Sequence, residues 1–303
     1  KLILNIKKPE HLLGLLFFSL ILTKEIVKHY FCLMKLHTSK RWYLHLVYYK
    51  SLKFIRFFTN RISAKHKHKF LFILSPPYCG STLLNQILST SENVSCNNHL
   101  GVREGQLLPE VKGIMFDNKG WHSEVNYPWE KIKKIWMKYW DQRKLILMDK
   151  TNTNIMRVTE INKVFENTSF LAMVRNPYAQ AEGIIRRNGA TPEYAAQFAL
   201  KCLRYQKQNR ELEINSLFIT YEELCDNKRG VVDKIKFFIP EIGDIDFDLE
   251  FSAHNFKTDG KMKIQNLNNE KIKKLSADQL KLINSYFIKE EQLLNDFGYS
   301  LIY

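Results

Sequence analysis

The sequence is poor in the patterns that hold metal ions. It has five cysteines in 303 residues, and no two of them have the C-x-x-C spacing of zinc ribbons or thioredoxin-type sites. An odd number of cysteines excludes a set of disulfides that uses every cysteine, but it allows a single disulfide. The cysteines therefore do not indicate the redox compartment. No cluster of candidate metal ligands appears elsewhere. The sequence therefore predicts a protein that needs no metal.

A long apolar run is also lacking. The longest stretch near the start of the chain is LLGLLFFSLIL at residues 12–22, whereas a helix that spans a bilayer needs roughly 20 such residues. Residues 23–25, Thr-Lys-Glu, end the run, and no clear small-residue cleavage site of a signal peptide follows. The run alone is therefore too short for a spanning helix.

Acidic residues are scarce in one part of the chain only. Residues 1–69 contain 15 Lys/Arg and 2 Asp/Glu, a net charge of +13, out of +15 for the whole chain. The rest is close to neutral, which argues against a body that binds nucleic acid. We therefore divide the chain into a basic arm, residues 1–69, and a main domain, residues 70–303.

The arm contains a predicted basic amphipathic helix at residues 42–62. Apolar residues recur there at helical spacing, with Lys and Arg between them and several aromatic residues. Such a helix can lie in a membrane interface, and we predict contact of residues 1–62 with a membrane surface, at the cytoplasmic face or in the Golgi lumen. The alternative is a helical arm that packs on its own domain or on a second subunit.

The main domain alternates apolar strands with helices. Residues 70–74 (FLFIL), 145–148 (LILM), 170–174 (FLAMV) and 216–220 (SLFIT) are short apolar runs, typical of strands buried on both faces. The first, third and fourth lead into helical stretches. This order predicts an α/β fold in which a parallel sheet is flanked by helices.

A candidate phosphate site follows the first strand. The turn 75–80 (SPPYCG) precedes a predicted helix at residues 81–88. The first turn of a helix offers unpaired N–H groups to an anion, Gly80 lets the backbone approach closely, and the hydroxyls of Ser81 and Thr82 add donors. The lysine of the usual ATPase loop, G-x-x-x-x-G-K-[ST], is missing.

Six segments, in the right order, resemble the sulfotransferase family, whose P-loop fold binds 3′-phosphoadenylyl sulfate (PAPS). The loop and helix at 75–84 are similar to its 5′-phosphosulfate loop, P-[KR]-[SA]-G-[ST]-T-x-L. The segment 173–187 looks like its 3′-phosphate segment. The others are the strand ending in Lys-Thr at 145–151, YEEL at 221–224, and the closing elements LSADQL at 275–280 and FGY at 297–299. The carbohydrate and tyrosyl-protein branches are the most similar.

The resemblance implies a role for several residues. Arg175 would hold the 3′-phosphate, and Lys150 would neutralise charge on the transferring group or the leaving phosphate. Glu104 would be the base that accepts the proton of the acceptor hydroxyl, with His99 and Glu110 as alternatives. Further residues are expected at the nucleotide: Tyr78, Cys79, Gly80, Ser81, Thr82, Leu83, Gly183 and Tyr221. Tyr221 would contact the adenine or a phosphate, or be a core aromatic residue.

Two positions depart from the family pattern. Tyr78 stands where the family usually has Lys or Arg, a cation that contacts the bridging oxygen. Gly183 stands where it tends to have Ser, which removes one hydroxyl contact to the 3′-phosphate, about 1 kcal/mol for a hydrogen bond. Lys150 could compensate for the cation that is missing at position 78.

These features predict a sulfotransferase that moves a sulfuryl group from PAPS to a hydroxyl of a carbohydrate or similar acceptor and releases PAP, the 3′,5′-bisphosphate. One alternative is a protein of the same fold that binds PAPS or PAP without turnover, which Tyr78 and Gly183 favour. The other is a P-loop nucleotide kinase, against which the missing lysine counts.

Overall fold

A computed structural model describes residues 38–62, 67–117, 120–248, 250–251 and 263–303. The apolar run at 12–22 and the segment 63–66 lie outside the described residues.

The described chain forms one parallel sheet with helices around it. Its strands are β1 (Lys69–Leu74), β2 (Val94–Cys96), β3 (Ile146–Asp149), β4 (Thr168–Val174) and β5 (Ser216–Thr220). They pair in the order β2-β3-β1-β4-β5, and every pairing is parallel. The predicted α/β fold is confirmed. The four predicted strands are present within two residues at each end, and β2 was not predicted.

The two faces of the sheet contact two different cores. Side chains alternate along a strand, so Phe70, Phe72 and Leu74 of β1 enter one apolar cluster, while Leu71 and Ile73 enter the other. This two-sided burial explains why β1 and β4 are continuous apolar runs in the sequence.

Twelve α-helices lie in the described part of the chain. They are α1 (Thr38–Ile62), α2 (Ser81–Leu88), α3 (Pro109–Met115), α4 (Trp129–Trp136), α5 (Val158–Val164), α6 (Pro177–Asn188), α7 (Pro192–Glu211), α8 (Tyr221–Asp226), α9 (Lys228–Phe238), α10 (Asn268–Ile272), α11 (Ala277–Phe287) and α12 (Glu291–Asn295). Short 3-10 turns cover Gly105–Leu107, Asn152–Met156, Pro240–Ile242 and Ile288–Glu290.

Helix α1 packs on the domain through one face only. Tyr49 and Leu52 are buried in the same apolar core as β1, and Arg56 pairs with Asp141 at 2.6 Å. Val47 and Phe58, which share the helical spacing of the apolar residues in this segment, are exposed. Helix α1 therefore carries apolar residues on both its packed face and its outer face. Within the described ranges, no helix combines the length and hydropathy that crossing a bilayer requires.

Candidate functional site

The predicted phosphate loop joins β1 to α2 at the carboxyl edge of the sheet. Two residues of the loop have a left-handed backbone, Tyr78 with φ 67° and Gly80 with φ 91°. A Cβ added to Gly80 would stand 2.7 Å from Cδ2 of Tyr221, so only glycine fits the turn here. Tyr221 itself is buried and donates its hydroxyl to the carbonyl of Gln265 at 3.0 Å. Its ring forms the floor of the loop.

Helix α2 begins directly after this turn. Ser81 and Thr82 occupy its first turn, where backbone N–H groups have no partner inside the helix and a partial positive charge accumulates. The Ser81 hydroxyl lies 3.3 Å from Oδ1 of Asn152. Leu83 and Cys79 are buried, and burial raises the pKa of the Cys79 thiol to about 12. Cys79 is therefore a neutral packing residue and not a nucleophile.

Lys150 and Glu104 form a buried ion pair beside this helix start. Nζ of Lys150, a residue only 1% exposed, lies 3.1 Å from Oε1 of Glu104 and 3.4 Å from Oγ1 of Thr82. The second oxygen of Glu104 accepts a hydrogen bond from the Gln106 amide. The predicted base, the predicted catalytic cation and the phosphate loop therefore lie together, although they come from three separate parts of the sequence.

Asp149 holds this arrangement in place and was missed in the sequence. Its buried carboxylate accepts hydrogen bonds from the side chains of Asn97 and Asn154, both at 2.8 Å, and from the N–H groups of Gly105 and Thr151, both at 3.0 Å. Burial raises its pKa in spite of these donors. Because Gly105 follows Glu104 and Lys150 follows Asp149, the same carboxylate fixes both members of the ion pair. The only indication of this role in the sequence was that Asp149 directly precedes Lys150.

Helix α1 also reaches the segment that carries Glu104. The Tyr49 hydroxyl donates to Oδ1 of Asn98 at 3.1 Å, and Nδ2 of Asn98 donates to the backbone carbonyl of Glu104 at 2.7 Å. All three residues are buried. The arm therefore contributes to the position of the candidate base.

The two alternative bases have other surroundings. Glu110 accepts hydrogen bonds from Lys53 and Tyr139; burial opposes its ionisation, but these bonds outweigh burial and lower its pKa. Burial, with the nearby charges of Arg103 and Arg56, lowers the pKa of His99 to about 4, which leaves the ring neutral at pH 7. Of the three candidates, the structure pairs Glu104 with Lys150.

Arg175 lies on the other side of the loop, where β4 ends. Its Nε donates to Oδ1 of Asn268 at 2.7 Å and its Nη1 to the carbonyl of Tyr78 at 3.1 Å. Its guanidinium stacks on the Tyr221 ring at 3.9 Å. The remaining nitrogen, Nη2, is buried without a hydrogen-bond partner among the described residues. A buried guanidinium nitrogen without a partner is costly, so this corner suits an anion.

The two residues that depart from the family pattern contact each other. A Cβ on Gly183 would stand 3.0 Å from both Cβ and Cγ of Tyr78, so the tyrosine ring packs against the glycine. The Tyr78 hydroxyl donates to Oδ1 of Asn188 at 2.5 Å. The side chain of Tyr78 is therefore turned toward the end of α6. Tyr78 contributes only its backbone to the phosphate loop, and no side-chain cation stands at this position.

This edge of the sheet presents two kinds of chemistry. On one side, helix α2, Thr82 and Lys150 offer donors and positive charge next to a carboxylate. On the other, Arg175 offers an unused donor. In the part of the chain that the structure describes, no group of three or more His, Cys, Asp or Glu side chains is arranged to hold a metal ion.

Comparison with known proteins identifies the domain. A family model described as "Sulfotransferase family" matches residues 71–239, which run from within β1 to the end of α9 and include the phosphate loop, Glu104, Lys150 and Arg175. Tyr49, Gln265 and Asn268 lie outside the matched residues. No curated protein matches the sequence.

The chain is also similar to sulfotransferases of known structure. The sulfotransferase domain of the Synechococcus PCC 7002 olefin synthase is 22% identical with a TM-score of 0.51, covering 79% of this chain and 99% of that one. A sulfotransferase from Alicyclobacillus acidocaldarius is 13% identical with a TM-score of 0.48, covering 77% and 96%. At such identities the likeness concerns the fold alone.

Proposed function

The chain belongs to the sulfotransferase family, and from that premise we propose that it transfers a sulfuryl group from PAPS to a hydroxyl group. The observation that carries the proposal is the buried, unpartnered Nη2 of Arg175 at the edge of the phosphate loop. PAPS differs from simpler nucleotides in its 3′-phosphate, and a guanidinium is well suited to bind a phosphate. A donor nitrogen without a partner at this place is what a 3′-phosphate would satisfy.

The residues of the loop fit the rest of the donor. Gly80 leaves the backbone open to an anion, and the first turn of α2 directs N–H groups and the hydroxyls of Ser81 and Thr82 toward it. Tyr221 would lie beneath the loop and stack on Arg175. Tyr78, Cys79 and Leu83 would act through the loop backbone and its packing.

In the transfer step, the acceptor oxygen would form a bond to the sulfur while the bond from sulfur to the bridging phosphate oxygen breaks, releasing PAP. Glu104 would take the proton of the attacking hydroxyl. Lys150 would stabilise the negative charge that develops, and a cation fixed in a buried site does so without reorganising. The Lys150–Thr82 contact keeps this cation at the loop.

The acceptor that we propose is a hydroxyl of a carbohydrate or a similar molecule. The support is the resemblance of the Lys150 strand end and the Glu104 segment to the carbohydrate and tyrosyl-protein branches. Transfer of labelled sulfate from PAPS to a panel of glycans, tyrosyl peptides and phenols would test the acceptor class directly.

Arg175→Ala is expected to weaken PAP binding by roughly 10- to 150-fold, which corresponds to the loss of a charged hydrogen bond of about 1.5–3 kcal/mol. Adenosine 5′-phosphosulfate, which lacks the 3′-phosphate, should bind almost as before. Calorimetric titration of both nucleotides gives the ratio of the two losses.

This ratio is its own control, because any damage to the loop by the lost Arg175–Asn268 and Arg175–Tyr78 contacts affects both nucleotides alike. Arg204→Ala, which removes an exposed arginine on α7 paired with Glu290, should leave both affinities unchanged. If Arg175→Ala weakens the binding of both nucleotides equally, Arg175 does not bind the 3′-phosphate.

A protein that binds PAP without turnover is the second candidate, and Tyr78 favours it. The family's usual cation is absent at this position, and the hydroxyl of Tyr78 is engaged by Asn188. Nucleotide binding combined with no transfer to any acceptor would support this candidate. Membership of the sulfotransferase family counts against the nucleotide kinase.

For the arm, we propose attachment to an anionic membrane surface through the outer face of α1. Tyr43, Val47, Lys50, Phe54, Phe57, Phe58 and Arg61 are exposed and lie three or four residues apart, and Phe54 is 66% exposed. The helix has six Lys/Arg and no Asp/Glu. Two copies facing each other would oppose like charges, whereas anionic lipid offers both an apolar layer and negative charge.

Phe54→Ser combined with Phe57→Ser is expected to reduce binding to vesicles of anionic and neutral lipid by tenfold or more, since each inserted phenyl group contributes about 1.5–3 kcal/mol when fully buried. Sedimentation with vesicles measures this. Deleting residues 1–62 would be a poorer test, because it also removes the core residue Leu52 and the Tyr49–Asn98 contact.

The matched control is Phe237→Ser, which removes a phenylalanine that is 90% exposed on α9 and should leave vesicle binding unchanged. Both variants should keep their melting temperature and PAP affinity. If the unmodified chain ignores anionic vesicles at moderate salt, or self-associates through this face in sedimentation equilibrium, the membrane proposal fails.

A further inference from the structure

Arg103 is a cation beside the candidate base that the proposed reaction does not use. It directly precedes Glu104 in the chain and is half-buried. Its Nη1 lies 3.4 Å from Oδ1 of Asn85, which is the only hydrogen bond of its guanidinium among the described residues. Asn85 follows Thr82 by one turn of α2, a spacing that leaves about 5–6 Å between the two Cβ atoms. The guanidinium of Arg103 is therefore close to the transfer site.

The backbone of Arg103 has a conformation that arginine rarely adopts. Its φ is 59°, and the nearby Gly101 also has a positive φ, 56°. The N–H of Arg103 closes this turn by donating to the carbonyl of Leu100 at 2.9 Å. A residue with a Cβ is strained in this left-handed region, whereas glycine is not, and such strain is concentrated at functional sites. The chain thus carries an arginine at a position whose backbone favours glycine.

No carboxylate neutralises Arg103 within the described ranges. The acidic side chains of this part of the site are already engaged: Glu104 is paired with Lys150, and Asp141 is shared by two other arginines, at 2.6 and 2.7 Å. Burial, followed by the charge of Arg103, lowers the pKa of His99 to about 4. A half-buried guanidinium without a counter-charge is a suitable site for an anion.

Arg103 lies on the side of the site away from the proposed donor nucleotide. In the sheet order β2-β3-β1-β4-β5, the phosphate loop follows β1 and Arg175 follows β4. The partner of Arg103, Asn85, instead contacts Cys96 at the end of β2, with 3.2 Å between Nδ2 and Sγ. Since β2 is the opposite edge strand, an anion at Arg103 would belong to the acceptor and not to the donor.

We propose that Arg103 binds an anionic group of the acceptor, and that this acceptor is an acidic sugar chain with a carboxylate or a sulfate ester near the reacting hydroxyl. The inference rests on the proposed function and names the substrate class of the same site. A guanidinium can bind either group through two parallel hydrogen bonds. Glu104 would not repel the incoming anion, because Lys150 neutralises it. Arg103 would determine specificity and take no part in the proton transfer.

The test compares three acceptors: an oligosaccharide that contains uronic acids, the same oligosaccharide with its carboxylates reduced to hydroxyls, and a neutral oligosaccharide that carries sulfate esters. Calorimetry on the PAP-saturated protein measures binding without requiring turnover, and kcat/KM is measured where transfer occurs. At least one acidic form should bind roughly tenfold or more tighter than the reduced form, as expected for a charged hydrogen bond. Comparing the two acidic forms shows whether a carboxylate or a sulfate is recognised.

Arg103→Gly separates this role from a structural one. Because glycine relieves the left-handed strain, the melting temperature should rise by about 1–3 °C. The affinity for the acidic oligosaccharide should fall roughly 10- to 100-fold, as for a lost charged hydrogen bond, while the reduced oligosaccharide and PAP bind almost as before. Arg103→Lys, which keeps the charge without the planar fork, should lose less affinity than Arg103→Gly. The control is Lys112→Gln, which removes an exposed lysine on α3 and should leave all these affinities unchanged.

Failure of this inference is distinguishable from failure of the proposed function. If PAP binds, but no acidic oligosaccharide binds more tightly than the reduced one, or Arg103→Gly weakens both alike, the role of Arg103 is overturned while the proposed function stands. A dependence on Arg103 that is confined to acidic tyrosyl peptides would overturn the assignment to a sugar chain. If the chain neither binds PAP nor transfers sulfate, the proposed function itself is wrong.

Discussion

Lys150→Ala is expected to lower kcat for sulfuryl transfer by about 10²–10³-fold while PAP affinity stays within a few-fold of the unmodified chain. The reason is that a fixed charge acts mainly on the transition state. Lys150 is held beside the phosphate loop by Thr82 and Glu104 and is almost completely buried. Steady-state transfer with saturating PAPS, measured beside PAP titration, separates the two effects.

The variant also leaves Glu104 as a buried carboxylate without its cation, which typically costs about 3–5 kcal/mol of stability. Arg157→Met is the matched control, because Arg157 is as buried as Lys150, at 1% exposure each, and donates to the carbonyls of His122 and Ser123. It should lower the melting temperature but leave kcat of the folded protein unchanged. A Lys150→Ala protein that is folded, binds PAP and transfers at full rate would contradict the assigned role.

Glu104→Gln is expected to lower kcat by about 10²–10⁴-fold, the usual contribution of a positioned general base. The amide keeps the shape of the side chain, so the contact with Gln106 can be retained and PAP affinity should not change. The measurement is the rate of transfer under saturating PAPS, with the melting curve as a check on folding.

Glu110→Gln is the control for this second variant. Glu110 lies six residues further along, but it pairs with Lys53 and Tyr139, so its loss should leave kcat within about threefold. If Glu104→Gln transfers at the unmodified rate, Glu104 is not the base. His99, the other candidate base from the sequence, would then be tested next, although burial lowers its pKa to about 4 and so opposes protonation of its ring.

The central part of the fold could be predicted because it depends on local patterns. Strands β1 and β4 are buried on both faces, so they are continuous apolar runs that the sequence displays directly. The predicted helix at 81–88 begins and ends at the observed residues of α2. Strand β2 was missed because it has only three residues, too few for any periodicity.

The site was predictable where a residue follows directly from a strand and a turn, as with Gly80, Lys150 and Arg175. The hydrogen bonds that hold these residues in place could not be predicted, because they join distant parts of the chain. The carboxylate of Asp149 binds a side chain 52 residues away and a backbone N–H 44 residues away. Tyr49 reaches Asn98 from an arm that had been treated as separate. No sequence spacing indicates such contacts.

The contact between Tyr78 and Gly183 couples these two positions of the chain. A Cβ at position 183 would stand 3.0 Å from both Cβ and Cγ of Tyr78, which is tighter than most real Cβ contacts, so a serine there would require the tyrosine side chain to shift by a few tenths of an ångström. The effect of a substitution at either position therefore depends on the residue at the other.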